Sequence, residues 1–175
     1  RPKKHLTSAT KSNGISISMP YWDERCAEMA KAYPGLTLDK FHIDILTAHF
    51  VQRPAFFDVV VASNLFGDIL SDLVAGLVGG LGMAPGANIG KNAAIFEAVH
   101  GSAPDIAGKG IANPTAIMLA AAMMLDHCKL TDLATRLRVA IDQTLNIDNI
   151  RTGDLGGKAG TVEFTQALVR RIVND

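Results

Sequence analysis

An α/β architecture is what this chain predicts, and three observations carry the prediction. Stretches with strand character alternate with stretches of helical period along most of the sequence. One run, "FDVVVAS" (57–63), is apolar on both faces, as a central strand of a parallel sheet should be. Hydrophobic residues make up 48% of the 175 positions, enough to build a sizeable core.

The elements follow in order. "KHLTSATKSNG" opens as a short strand and ends in Ser12-Asn13-Gly14, a turn signal. "MPYWDERCAEMAKAYPG" reads as an amphipathic helix with Trp22, Cys26, Met29 and Ala30 on one stripe, stopped by Pro34-Gly35. "KFHIDI" alternates, with Phe41, Ile43 and Ile45 facing one way and His42 and Asp44 the other. "LTAHFVQRP" reads as a short helix that ends at Arg53 because Pro54 follows. After the central strand, Ser63 or Asn64 can cap a helix with Phe66, Ile69, Leu70, Leu73 and Val74 on its apolar side. Asp68 and Asp72 share the narrower side left over. Five glycines and a proline between positions 76 and 86 imply sharp bends or close backbone approach. "AAIFEAVHGSAPDIAGKGIANP" begins as a strand and becomes a loop, and Asn113-Pro114 opens an apolar helix over 115–128. Another helix starts near Thr131 with the stripe Leu133, Leu137, Ala140, Ile141 and Leu145. "RTGDLGGKAG" is a second glycine-rich loop, and the last helix carries Phe164, Leu168 and Ile172. Met118, Met123 and Met124 are read as core packing.

Bulk properties exclude several classes. Lys plus Arg and Asp plus Glu both number 17, so no basic footprint suggests nucleic acid or a membrane surface as a partner. Cys26 and Cys128 stand far apart, neither a disulfide framework nor a zinc pattern, which fits a reducing, cytoplasmic compartment. The longest apolar stretch, "AIMLAAAMML" (116–125), is far below the roughly 20 residues a bilayer span requires. The opening "RPKKHLTSA" has no Met and no targeting segment, and the expectation is a C-terminal portion of a longer protein.

Several residues invite chemistry. Two carboxylates one helical turn apart, just after a buried strand, repel each other. Asp68 and Asp72 therefore admit two readings: complementing the helix N-terminus, or holding a hard divalent cation, Mg²⁺ or Mn²⁺, with oxygen ligands. Asp44 could be a third ligand or simply a solvated strand residue. Lys11, between a strand and a turn, is either a surface lysine or a proton-transfer group. The stretch 99–114 is neither a P-loop nor a G-x-G-x-x-G fingerprint. It is an ordinary surface loop, or else a nucleotide-binding one in which Asp105 meets a ribose 2′-hydroxyl and His100 meets adenine.

Taken in order, "TKSN", "HID", "NLFGDILSDLVAGLVGGLGMAPGANIG", "IFEAVHGSAPDIAGKGIANPTA" and "DLGG" resemble the β-decarboxylating dehydrogenases of isocitrate, 3-isopropylmalate, homoisocitrate and tartrate. The resemblance covers nearly the whole chain and is most specific over 64–114. It implies an isocitrate/isopropylmalate dehydrogenase-like fold of two α/β domains, with a non-classical dinucleotide-binding mode and only the C-terminal half present here. Residues 1–79 would belong to the smaller, dimer-forming domain and 80–175 to the larger, NAD-binding one. By this resemblance Asp68 and Asp72 match metal-binding carboxylates of one subunit, and Asp44 matches the ligand given by its neighbour. Lys11 matches the catalytic lysine, also offered across the homodimer, with Asn13 near substrate and nicotinamide. Glu97 matches a glutamate near the nicotinamide ribose. His100, Ala112 and Asn113 match positions around the adenine, and Gly101, Ser102 and Ala103 count among the cofactor-binding residues. Asp105 and Ile106 match the pair of NAD-using members, whereas NADP-using bacterial isocitrate dehydrogenases carry Lys-Tyr there. Asp154 lies in a loop that approaches the cofactor.

The implied reaction is NAD- and metal-dependent oxidative decarboxylation of a 2-hydroxy di- or tricarboxylic acid. Signals for the substrate diverge. "ATKSNGISISMPYWDE" is similar to tartrate or isopropylmalate dehydrogenases, and "GLGMAPGANIGKNAAIFEAVHG" to NAD-dependent isocitrate enzymes, so the expectation leans to isocitrate, with 3-isopropylmalate, tartrate or D-malate as alternatives. The family's substrate-clamping arginines and catalytic tyrosine precede this segment, so the chain alone is expected to be inactive. Non-catalytic regulatory subunits of the family would be expected to lose the lysine or metal ligands, which are all retained here. A dimerisation module without activity is the third reading.

Overall fold

The computed structural model describes residues 2–174, the last by its backbone only. The chain divides into two compact units, one ending at Leu77 and the other starting at Val78.

The first unit is a three-stranded parallel sheet with three helices. Its elements are β1 (His5–Thr10), α1 (Ser18–Lys31), β2 (Thr37–His42), α2 (Ile43–Gln52), β3 (Val59–Val61) and α3 (Asn64–Leu77). The strand order is β2-β1-β3. The central strand is therefore β1, whose residues Thr7, Ser8, Ala9 and Thr10 are all within 1% of complete burial. The expected central run 57–63 instead supplies an edge among the described strands, with Val59 exposed. An all-apolar strand needs cover on both faces, and the hydrogen-bonded neighbour on its outer side is a separate matter that composition does not report.

The alternating "KFHIDI" does not continue as a strand. β2 stops at His42, and Ile43 opens α2, which buries Leu46 and Phe50 against Ala9 and Leu70. Ile43, Leu46 and Phe50 lie three and four apart, the helical spacing that wins over the shorter alternation. Asp44 consequently sits in the first turn of a helix, where its charge complements the helix dipole. In α1, Trp22 donates its indole N–H to Ser8 Oγ at 3.0 Å and Cys26 lies 3.5 Å from the same oxygen, but Met29, expected on that stripe, is 65% exposed. Met19 is the residue α1 buries. α3 buries Phe66, Leu70 and Ala75, while Ile69 and Val74 of its expected apolar side remain exposed. Ser63 takes the capping position through its main chain, accepting from Gly67 N at 2.7 Å.

The second unit joins a hairpin to three helices: β4 (Pro85–Ile89), β5 (Ala94–Ala98), α4 (Thr115–His127), α5 (Thr131–Asn146) and α6 (Thr161–Asn174). β4 and β5 are antiparallel with Gly86 opposite Glu97. Pro85 is tolerated because it starts its strand. The glycine-rich entry does bend: Gly79 and Gly80 hold φ of 120° and 102°, conformations closed to most side chains. The core gathers Ala140, Ile141, Leu145, Phe164 and Leu168, with Met118, Leu137 and Ile172 packed around it. Leu133 is exposed and Ala134 takes the buried place at the start of α5, while the rest of the expected stripe is in the core. Met124 is likewise exposed rather than core. Among the described residues no helix is long and apolar enough to cross a membrane.

Candidate active site

Parallel pairing puts the carboxyl ends of all three strands on one edge. Thr10 of β1 is paired with His42 of β2, and Ser8 of β1 with Val61 of β3. Lys11, Asp44 and the start of α3 are the next residues out from those ends, the edge at which α/β sheets present ligand groups. There Lys11 Nζ donates to Asp44 Oδ2 at 2.7 Å, with the two side chains 28% and 63% exposed. The Lys11 hydrogen bond, helped by the main-chain N–H of Ile45, holds the Asp44 carboxyl below the usual aspartate value. The Lys11 carbonyl accepts from Gly14 N at 2.9 Å and Ile15 N at 2.8 Å, closing the turn on which Asn13 is exposed.

Asp68 and Asp72 share the exposed side of α3. Asp68 Oδ2 lies 3.5 Å from Asn64 Nδ2, and neither aspartate is in an ion pair among the described residues. Two solvated carboxylates at i, i+4 are hard oxygen donors free to take a divalent cation. No group of three His, Cys, Asp or Glu side chains is suitably placed to hold a metal among the described residues, so Asp44 does not join Asp68 and Asp72 within one chain. The donor set of a single chain fits half of such a site.

Sequence inspection passes over Asp23. This residue of α1 binds Lys40 Nζ through Oδ2 at 2.8 Å, with its side chain only 14% exposed. Burial raises its pKa, but the Lys40 hydrogen bond and the hydroxyls of Thr10 and Ser12 outweigh this and hold it below the usual value. Its other oxygen, Oδ1, is buried with no partner in hydrogen-bond geometry. Asp23 thus ties α1 to β2 through Lys40, and nothing in a helix stripe of Trp22 and Cys26 announces it. A cavity of about 510 Å³ in this unit is lined by Lys4, His5, Leu6, Tyr33, Leu36 and Asp58, among others. It opens at the amino end of the strands and contains none of the candidate residues.

In the second unit the segment 99–112 is exposed loop apart from half-buried Ile106, as its composition suggests, and Asn113 at its end is buried. His100 places Nδ1 2.9 Å from the carbonyl of Gly101, and Gly101 and Ser102 are exposed. Ala103 adopts a left-handed φ of 44°, turning the chain into a short 3-10 turn, Pro104–Ile106. Asp105 lies exposed in that turn without a cationic partner among the described residues, and Ile106 is half-buried. A free carboxylate there suits a hydroxyl donor and repels a phosphate. Glu97, on β5, accepts from Asn88 Nδ2 at 3.1 Å. Asn113 and Asp154, remote in sequence, meet: Asn113 Nδ2 donates to Asp154 Oδ2 at 2.9 Å. Asp154 Oδ1 accepts from Thr152 Oγ1 at 2.5 Å. Ala112 is exposed, and its carbonyl accepts from Thr161 Oγ1 at 2.5 Å. Thr152 and Gly82, which abuts both Asn113 and Asp154, carry no sequence signal of this role.

The chain matches the isocitrate/isopropylmalate dehydrogenase family over residues 1–168. It is 49% identical over 97% of its length to a probable tartrate dehydrogenase/decarboxylase of Bacillus subtilis, covering 49% of that protein. It is 50% identical over 99% of its length to the D-malate dehydrogenase (decarboxylating) of Escherichia coli, covering 50% of it. Among solved structures, the isocitrate dehydrogenase of Methylococcus capsulatus superposes with a TM-score of 0.92 at 46% identity, over 96% of this chain and 50% of the other. The chain spans about half the length of the curated relatives it matches. Matched over residues 1–168 and about half identical to relatives along nearly all of its length, the chain belongs to the isocitrate/isopropylmalate dehydrogenase family.

Proposed function

We propose that the protein carrying this chain oxidatively decarboxylates a 2-hydroxy di- or tricarboxylic acid with NAD and Mg²⁺ or Mn²⁺, in a homodimer with shared active sites, and that its substrate is isocitrate. One observation carries the reading. Lys11 and Asp44 are joined as one pair at the carboxyl edge of the sheet, while Asp68 and Asp72 form another that no third acid of the same chain completes. Two half-sites of this kind become one site when a second copy supplies the missing half.

In this reading Asp68 and Asp72 of one protomer and Asp44 of its partner hold the divalent cation. When bound, the cation supplies Lewis acidity at the substrate's hydroxyl and neighbouring carboxylate. Lys11 Nζ, delivered beside Asp44, handles the proton of the 2-hydroxyl group, and Asn13 orients substrate against the nicotinamide ring. NAD, when bound, would supply the hydride acceptor for oxidation at C2, which would leave a keto acid able to lose its β-carboxylate as CO₂. Asp105 selects the 2′-hydroxyl of NAD, and His100, Gly101, Ser102, Ala103, Ile106, Ala112, Asn113, Asp154 and Glu97 line or support the cofactor. The unit through Leu77 would form the dimer, and the unit from Val78 would bind the dinucleotide.

The choice of isocitrate rests on "GLGMAPGANIGKNAAIFEAVHG". The relatives act by name on tartrate, D-malate and isocitrate at 46–50% identity, a spread too narrow to rank them. The test is NADH production by the intact protein with isocitrate, D-malate, tartrate and 3-isopropylmalate, with Mn²⁺ and after exhaustive chelation. Full rate without metal would overturn the mechanism. A higher kcat/KM for another acid would replace isocitrate. The 175-residue chain alone is expected to give no turnover.

A further inference from the structure

We propose that Asp154 is a positioning residue that acts through Asn113: it sets the loop against which an adenine base would lie, instead of contacting the nucleotide. The proposal rests on the nucleotide-binding reading of this unit given above. Each Asp154 oxygen already accepts from a neighbour, Oδ1 from Thr152 Oγ1 at 2.5 Å and Oδ2 from Asn113 Nδ2 at 2.9 Å. Asn113 is only 8% exposed, and both ends of its amide are engaged. Its Nδ2 also lies 3.7 Å from Met83 Sδ, and its Oδ1 accepts from Thr115 N at 2.9 Å. An amide satisfied on both ends by protein has little left with which to read a ligand.

The same short segment is tied down at two further points. Thr161 N donates to the Gly110 carbonyl at 2.8 Å, and Thr161 Oγ1 donates to the Ala112 carbonyl at 2.5 Å. Ile111 and Ala112 nevertheless remain exposed. The result is a rim whose outer surface is open and whose underside is held by Asp154, Asn113 and Thr161. Pre-ordering such a rim removes the entropy of arranging it at the moment of binding. Loss of the Asp154 carboxylate leaves the Asn113 amide buried without its charged partner, and the rim loosens.

The experiment is a double-mutant cycle in the intact protein, with ADP as the probe and IDP as the base-altered control, both measured by calorimetry. D154A and N113A are each expected to weaken ADP binding by about tenfold or more, the scale of a hydrogen bond to a charged group. The double variant should bind no more weakly than the weaker single one, because both act on one element. The preference for ADP over IDP should fall in all three, which a loss of general stability would not produce. T152V, which keeps the carboxylate and removes one of its donors, should move in the same direction by a smaller factor. It serves if D154A does not fold. Additive losses, an unchanged ADP-to-IDP ratio in D154A or T152V, or wild-type affinity in either would overturn the proposal. A folded intact wild-type protein that does not bind ADP at all would overturn the nucleotide-binding reading, and this inference with it.

Discussion

Replacing Gly82 by Ala sets two effects of opposite sign against each other. Gly82 is not among the glycines with positive φ, so alanine meets no backbone barrier there. Narrowing the unfolded ensemble would then stabilise the protein by about 0.4–1 kcal/mol. The new methyl group, however, would lie 2.9 Å from Asp154 Oδ2, 3.0 Å from Asn113 Cβ and 3.1 Å from Asn113 Nδ2. An Asp at the end of a free side chain could swing away, but this carboxylate is held by Thr152 and Asn113. Overpacking of this kind costs about 1–3 kcal/mol, and parting Asp154 from Asn113 adds to it. The clash therefore wins, with a net loss of about 2 kcal/mol. At roughly 4–8 °C per kcal/mol for a unit of this size, the melting temperature should fall by about 10 °C. Gly67→Ala is the internal control: in the first turn of α3, its methyl group would meet nothing nearer than Ala62 Cβ at 4.0 Å. It should gain about 0.5–1 kcal/mol. Scanning calorimetry reads both. A G82A protein as stable as wild type, or a destabilised G67A, would refute the packing argument.

Phe164→Ala removes a fully buried ring from the cluster of Ala140, Ile141, Leu145 and Leu168, and should cost about 3–5 kcal/mol by urea unfolding. A loss below about 1 kcal/mol would show the ring is not in the core. Asp23 has a folded-state pKa below its ordinary value. Its contribution to stability is therefore full above the unfolded-state pKa, near about 4, and is lost as pH falls through the lower folded value. Between neutral pH and pH 3 the wild-type melting temperature should fall more steeply than that of D23N; parallel curves would contradict the assignment. Asp68→Asn together with Asp72→Asn should leave the helical circular dichroism unchanged, since both are exposed, while abolishing Mn²⁺-dependent NADH production by the intact protein. Retained activity would sink the metal reading.

Much of this protein is legible along the chain because the information is local. Helix α6 follows from Phe164, Leu168 and Ile172, spaced four apart, and the strand before Lys11 follows from its turn. The loop 99–114 follows from glycine, proline and small residues, because these limit what the backbone can do. The site residues are also visible as types: hard oxygen donors at i, i+4 and a lysine beside a turn.

Tertiary structure decided what depends on partners distant in sequence. That β1, and not the more apolar β3, is the central described strand comes from pairing order, which residue composition does not encode. That Asp44 opens a helix comes from burial of Leu46 and Phe50, a competition alternation alone cannot judge. The pairings of Lys11 with Asp44, Asp23 with Lys40, and Asn113 with Asp154 join residues 33, 17 and 41 positions apart. A hydrogen bond acts over about 3 Å, so only folding brings such groups within its reach, and only folding turns scattered polar residues into paired ones.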